Sequence, residues 1–151
     1  MAMTMNGEYE LSVPPQTVWE KLNDTETLKA CIPGCEQLDK TSDTEFAAVA
    51  TVKIGPVKAK SKGRVTLSDL DPPNGYKISG QGDGGVAGFA KGGATVKLAP
   101  KNGGTLLSYN VDAQIGGKLA QLGQRLVNGA AKKIADDFFA NFANAVNAKP
   151  A

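Results

Sequence analysis

The chain has 151 residues, 41% of them apolar, and 17 Lys and Arg against 15 Asp and Glu for a net charge of +2. That length and balance fit one domain with a real core, and exclude both a disordered tail and a helical membrane span. Histidine is absent, which removes the commonest general base and the commonest metal ligand together.

The first strand is read over residues 7–13, where Tyr9, Leu11 and Val13 alternate on one face. Pro14-Pro15 stops it, and Pro15 opens a short helix with Val18, Trp19 and Leu22 at helical spacing. Asp24 or Thr25 caps a second short helix, which Pro33-Gly34 ends. From Cys35 the period becomes two. Phe46, Ala48, Ala50, Val52 and Ile54 share one face of a long strand. After the Gly55-Pro56 turn, small residues (Ala59, Ser61, Gly63) alternate with Lys58, Lys60, Lys62 and Arg64. Turns at 71–75 and 100–104 separate further strands, the last carrying Leu107, Tyr109, Val111 and Ala113 inward. Successive strands joined by short turns imply an antiparallel meander.

Gly116-Gly117 changes the period to 3.6. Leu119, Leu122, Leu126, Ala130, Ile134, Phe138 and Phe142 recur at intervals of three and four, and predict one amphipathic helix of about 28 residues. The expected fold class is α+β: a curved antiparallel sheet of about seven strands wrapped around a long C-terminal helix, with two short helices after strand 1. It is a helix-grip arrangement in a single domain over 1–147, with a frayed tail at 148–151. Small inward residues beneath a long helix leave room for an apolar pocket, unless the helix phenylalanines fill it.

Charge and cysteines narrow the chemistry. Residues 46–133 carry thirteen bases and four acids, while residues 1–45 carry nine acids and three bases. The basic segment suits an anionic surface, and the scarcity of aromatics beside it sets nucleic acid aside. Cys31 and Cys35 lack the partners of a four-ligand zinc site and read as small core thiols. No metal, cofactor or catalytic group is expected. Asp136 and Asp137 diverge by about 100° on a helix and form no dyad. Met1 to Met5 lacks the features of a secretion signal, so a cytoplasmic location is expected. The 80–93 stretch has glycines at G-x-G-like spacing, but no helix follows to make a phosphate site; it reads as a bent strand or a gate.

Several pieces, taken in order, resemble the CoxG family of carbon monoxide dehydrogenase proteins, within the START-like (SRPBCC, Bet v 1-like) superfamily. They are Ile32-Pro33-Gly34, Val52-Lys53-Ile54-Gly55-Pro56-Val57, Gly63-Arg64-Val65 with Asp71-Pro72-Pro73, and Gly104-Thr105. The run Gly116-Gly117-Lys118-Leu119-Ala120-Gln121-Leu122-Gly123, followed by Phe138-Phe139, completes the set, which spans about residues 5–145. The resemblance implies a non-catalytic accessory protein of a molybdenum-containing carbon monoxide dehydrogenase or related hydroxylase. Its implied ligand is an apolar molecule such as a quinone or lipid, and its implied partners are the dehydrogenase subunits and the cell membrane's inner face. A polyketide cyclase or aromatase-like enzyme and a docking adaptor with a filled core are the alternatives. The expected ligand cavity is lined by Phe46, Ala50, Val52, Ile54, Phe89, Leu107, Tyr109, Leu119, Leu122, Leu126, Phe138 and Phe142. The expected membrane or partner face is Lys53, Lys58, Lys60, Lys62 and Arg64, unless it is only a solvated outer surface.

Overall fold

Every alternating stretch of the sequence becomes a strand of one sheet. The computed structural model describes residues 1–85 and 88–147. Its elements are β1 (Ala2–Leu11), α1 (Pro15–Leu22), α2 (Thr25–Cys31), β2 (Cys35–Ser42), β3 (Glu45–Ile54), β4 (Val57–Asp71), β5 (Gly75–Asp83), β6 (Phe89–Lys101), β7 (Gly104–Gly116), α3 (Lys118–Gln121) and α4 (Gln124–Asn147). The seven strands run antiparallel in the order β1-β7-β6-β5-β4-β3-β2, so the first strand closes the meander by pairing with the last. The fold class is the α+β helix-grip read from the sequence. The frayed tail expected at 148–151 lies outside the described residues.

Local chemistry sets the boundaries. Pro15 stands at the start of α1, where its missing N–H costs nothing. Asp24 caps α2 by accepting from the Thr27 N–H at 3.1 Å. After α2, Gly34 turns at φ +73°, and its carbonyl accepts from the Thr51 N–H at 2.9 Å, so the corner is stitched to β3.

The predicted 28-residue helix is two helices. Gly123 at φ +91° breaks it, leaving the four-residue α3 and the 24-residue α4. The glycine-rich stretch is likewise more regular than expected. β5 and β6 pair without a shift from Gly75↔Lys97 to Asp83↔Phe89, so its glycines are ordinary members of a ladder. Ala87, at the tip of the expected gate, lies outside the described residues.

Inward side chains are graded along the strands. At one end Leu11, Leu38, Phe46, Leu67, Tyr76, Val96, Leu98 and Leu107 are buried under α1, α2 and the second half of α4. At the other end the inward positions are Ala48, Ala50, Ser61, Gly63, Gly80, Gly82 and Ala90, and all remain half-buried. Side chains this short cannot reach a helix packed across the sheet, because packed layers sit about 10 Å apart. The concave face is therefore filled at one end and hollow at the other.

Candidate functional site

The hollow end opens where β3 leaves the cover of β2. The β2–β3 ladder ends at Cys35↔Ala50, and beyond it Thr51 to Gly55 run along α4. A groove of about 770 Å³ lies between them. Val52 and Ile54 form one wall, Leu122, Leu126, Ala130 and Ile134 the other, and Pro33-Gly34 closes one end. The helix wall is an i, i+4 stripe, so one helix face delivers four apolar side chains in a row. Leu126 and Ile134 are 41% and 38% exposed, far more than core leucines and isoleucines. At the far end the Gly55 turn meets Leu126: a Cβ on Gly55 would stand 3.0 Å from the Leu126 Cδ2. Lys53, Arg125, Lys133 and Asp137 line the rim, with Lys133 paired to Asp137 at 2.7 Å.

The twelve residues expected to line one cavity divide into four groups. Val52, Ile54, Leu122 and Leu126 line the groove, and Ala50 is half-buried on the concave face just beyond it. Phe46, Leu107, Tyr109 and Phe142 are core, with Leu107 and Phe142 fully shielded, and Phe138 packs against that core. Leu119 belongs to a small separate cluster with Met3, Ile115 and Val127 beneath α3. Phe89 is misplaced by the sequence reading: it starts β6 on the outer face, 46% exposed, with its ring over Gly116. Its register with Asp83, whose neighbours Gly82 and Ala90 point inward, puts it on the opposite side of the pleat.

The buried stripe of α4 also differs from the one expected. Val127, Phe139, Phe142 and Val146 are the buried residues, not Leu126 and Ile134. The helix carries two adjacent apolar stripes, and only one faces the core. Sequence reasoning passed over Phe139, whose ring stacks on Tyr9 at 4.3 Å and on Tyr109 at 5.3 Å between centroids. Tyr109 in turn lies over Gly7 across the β1–β7 pair, where a Cβ would come within 2.8 Å of its ring. These rings fill the end of the sheet-helix space away from the groove.

One polar network holds the helix to the sheet. The Tyr9 hydroxyl donates to the Asp136 carboxylate at 2.5 Å, and Lys132 Nζ donates to the same carboxylate at 2.8 Å. Burial, then the Asp136 hydrogen bond, raises the Tyr9 phenol above its ordinary range, while Lys132 first and Tyr9 second hold Asp136 low. Asp137 pairs separately with Lys133, as the divergence of adjacent helix positions requires. Asn141 Nδ2 donates to the Cys31 carbonyl at 3.1 Å and ties α4 to the end of α2.

Lys53, Lys58, Lys60, Lys62 and Arg64 are all exposed, on the convex side of the sheet. Lys60 lies 3.7 Å from Glu36. Cys31 is buried and Cys35 half-buried, both as free thiols. No described helix is long and apolar enough to cross a membrane.

Comparison with known proteins follows the same lines. The CoxG family, described as the G-type subunit of carbon monoxide dehydrogenase, matches over residues 7–147. A crystal structure of a conserved protein from Geobacillus kaustophilus is similar at 34% identity and TM-score 0.90, covering 96% of this chain and 95% of that one. The fold is shared with Ara h 8.0201, at 16% identity and TM-score 0.70 over 99% and 100% of the two chains. It is shared also with the Zhui aromatase/cyclase from Streptomyces, at 11% identity and TM-score 0.71 over 97% and 94%. No curated protein matches the sequence. The family match and the helix-grip architecture agree, and the chain belongs to the CoxG family.

Proposed function

We propose that this chain is a non-catalytic accessory protein of a molybdenum-containing carbon monoxide dehydrogenase or a related hydroxylase, carrying an apolar molecule such as a quinone or lipid. The observation that carries the reading is the groove between α4 and β3. A second apolar stripe on α4, left half-exposed opposite Val52 and Ile54, is a costly surface for a protein that binds nothing. Each exposed residue of that stripe forgoes part of the ~1.5–3 kcal/mol that full burial of such a side chain supplies. A bound apolar molecule recovers it. The same geometry disfavours an adaptor with a filled core, because the filling is confined to the aromatic end.

A cyclase needs an acid or base aimed at its substrate. Asp137 is the one carboxylate among the described residues lining the groove, and it is committed to Lys133. The exposed Lys53, Lys58, Lys60, Lys62 and Arg64 would supply contact with an anionic leaflet or an acidic partner surface, worth ~1 kcal/mol per cation near such a membrane.

The reading is tested by titrating a short-chain quinone into isotope-labelled protein and following methyl resonances. Shifts confined to Val52, Ile54, Leu122, Leu126 and Ile134, and lost in Leu126→Lys, are expected. Unperturbed groove methyls at saturating quinone and lipid would end the carrier reading.

A further inference from the structure

The groove is electrically lopsided. Its rim holds three cations, Lys53, Arg125 and Lys133, against the single carboxylate of Asp137, and Lys133 already has that carboxylate at 2.7 Å. Lys53 and Arg125 have no hydrogen-bond or ion-pair partner among the described residues. Both lie toward the same end. Lys53 stands two residues before Gly55, Arg125 adjoins Leu126, and Gly55 and Leu126 meet. That end also holds the first turn of α4, which contains no acidic residue to offset the positive pole of a 24-residue helix. From there the apolar stripe runs along α4 toward Ile134 and Pro33, roughly 18 Å for the twelve residues from Leu122 to Ile134 at 1.5 Å each.

A neutral apolar molecule would use the stripe and leave the two cations idle. An amphiphile with an anionic head would use both. The geometry points to a single-chain anionic amphiphile as a ligand of this groove, its carboxylate or phosphate between Lys53 and Arg125 and its alkyl chain along Leu126, Ala130 and Ile134. The inference rests on the groove being the ligand site and adds to it a head-group class and an orientation.

Calorimetric titration of the full chain with dodecanoate, dodecyl phosphate and 1-dodecanol, all below micellar concentration, tests it. Two surface-strength ion pairs are worth about a fivefold advantage for the anions over the alcohol. That advantage should shrink as salt is raised and vanish in the Lys53→Gln/Arg125→Gln double variant, whose affinity for dodecanol stays at the parent value. A preference between the two anions tells a fatty-acid head from a phospholipid-type head. Equal binding of anions and alcohol by the parent chain would overturn the head-group assignment while leaving the apolar groove standing. So would an anion preference that survives the double substitution. Failure of all three probes to bind would overturn the groove reading itself.

Discussion

Leu126 and Phe142 lie on the same helix and are both large and apolar, yet the structure assigns them opposite roles. Phe142 is fully buried, so Phe142→Ala removes a packed ring and leaves a cavity, a change that costs about 3–5 kcal/mol. Leu126 is 41% exposed and faces the groove, so its truncation removes only part of a burial worth ~1.5–3 kcal/mol in full and opens no sealed void. About 1 kcal/mol is expected for Leu126→Ala. For a chain of this size, that separates the variants into a melting shift of roughly 3 °C for Leu126→Ala and about 10 °C or more for Phe142→Ala. Urea denaturation followed by circular dichroism, with the slope required to stay constant, gives the free energies directly. Equal losses at the two positions would refute the reasoning. Leu126 would then be core, and the groove would be closed in solution.

Two further predictions rest on single residues. Gly34→Ala places a Cβ against the Thr51 carbonyl oxygen at a backbone φ of +73° that L-residues disfavour, so a loss of about 3 kcal/mol or more is expected by denaturation, with Gly34→Asn also destabilised by the same clash. An unchanged midpoint would mean that the α2–β2 corner is not built as described. Tyr9 and Tyr76 are both raised, Tyr9 by burial and then by Asp136, Tyr76 by burial. A raised folded-state value favours the neutral phenol, so their contribution is full below the unfolded-state pKa of ~10 and is lost as pH climbs toward the folded-state values. Stability should therefore fall above pH ~10, with tyrosinate absorbance appearing together with unfolding, and Tyr76→Phe should flatten the decline. Early tyrosinate absorbance from a still-folded chain, in full tyrosine count, would contradict it.

Much of the architecture was legible because strands announce themselves by period two and turns by Gly, Pro and Asn. The basic ladder Lys58 to Arg64 had to face outward once Val65 and Leu67 faced inward, and it does. Periodicity was weaker on the C-terminal helix. Leu126 and Val127 are both apolar and adjacent, so a pattern of threes and fours can be threaded through either, and only the position of the sheet decides which is core. The break at Gly123 was equally hidden, since an isolated glycine in a helical pattern is often tolerated. Phe89 went astray for a different reason. A phenylalanine in a glycine-rich stretch invites an inward placement, but strand register, fixed by Val96 and Leu98 further along β6, sends it to the outer face. The site was half legible: the groove's β3 wall and the leucines of its helix wall were among the expected residues, while the division between a filled and a hollow end depends on side-chain size across several strands at once.

Native mass spectrometry of the freshly purified full chain, with organic extraction and identification of what co-purifies, tests the central claim most directly. The account predicts a 1:1 complex with an apolar or amphiphilic molecule, retained by the parent chain and absent from Leu126→Lys. A clean ligand-free mass that takes up neither added quinone nor added fatty acid would contradict it.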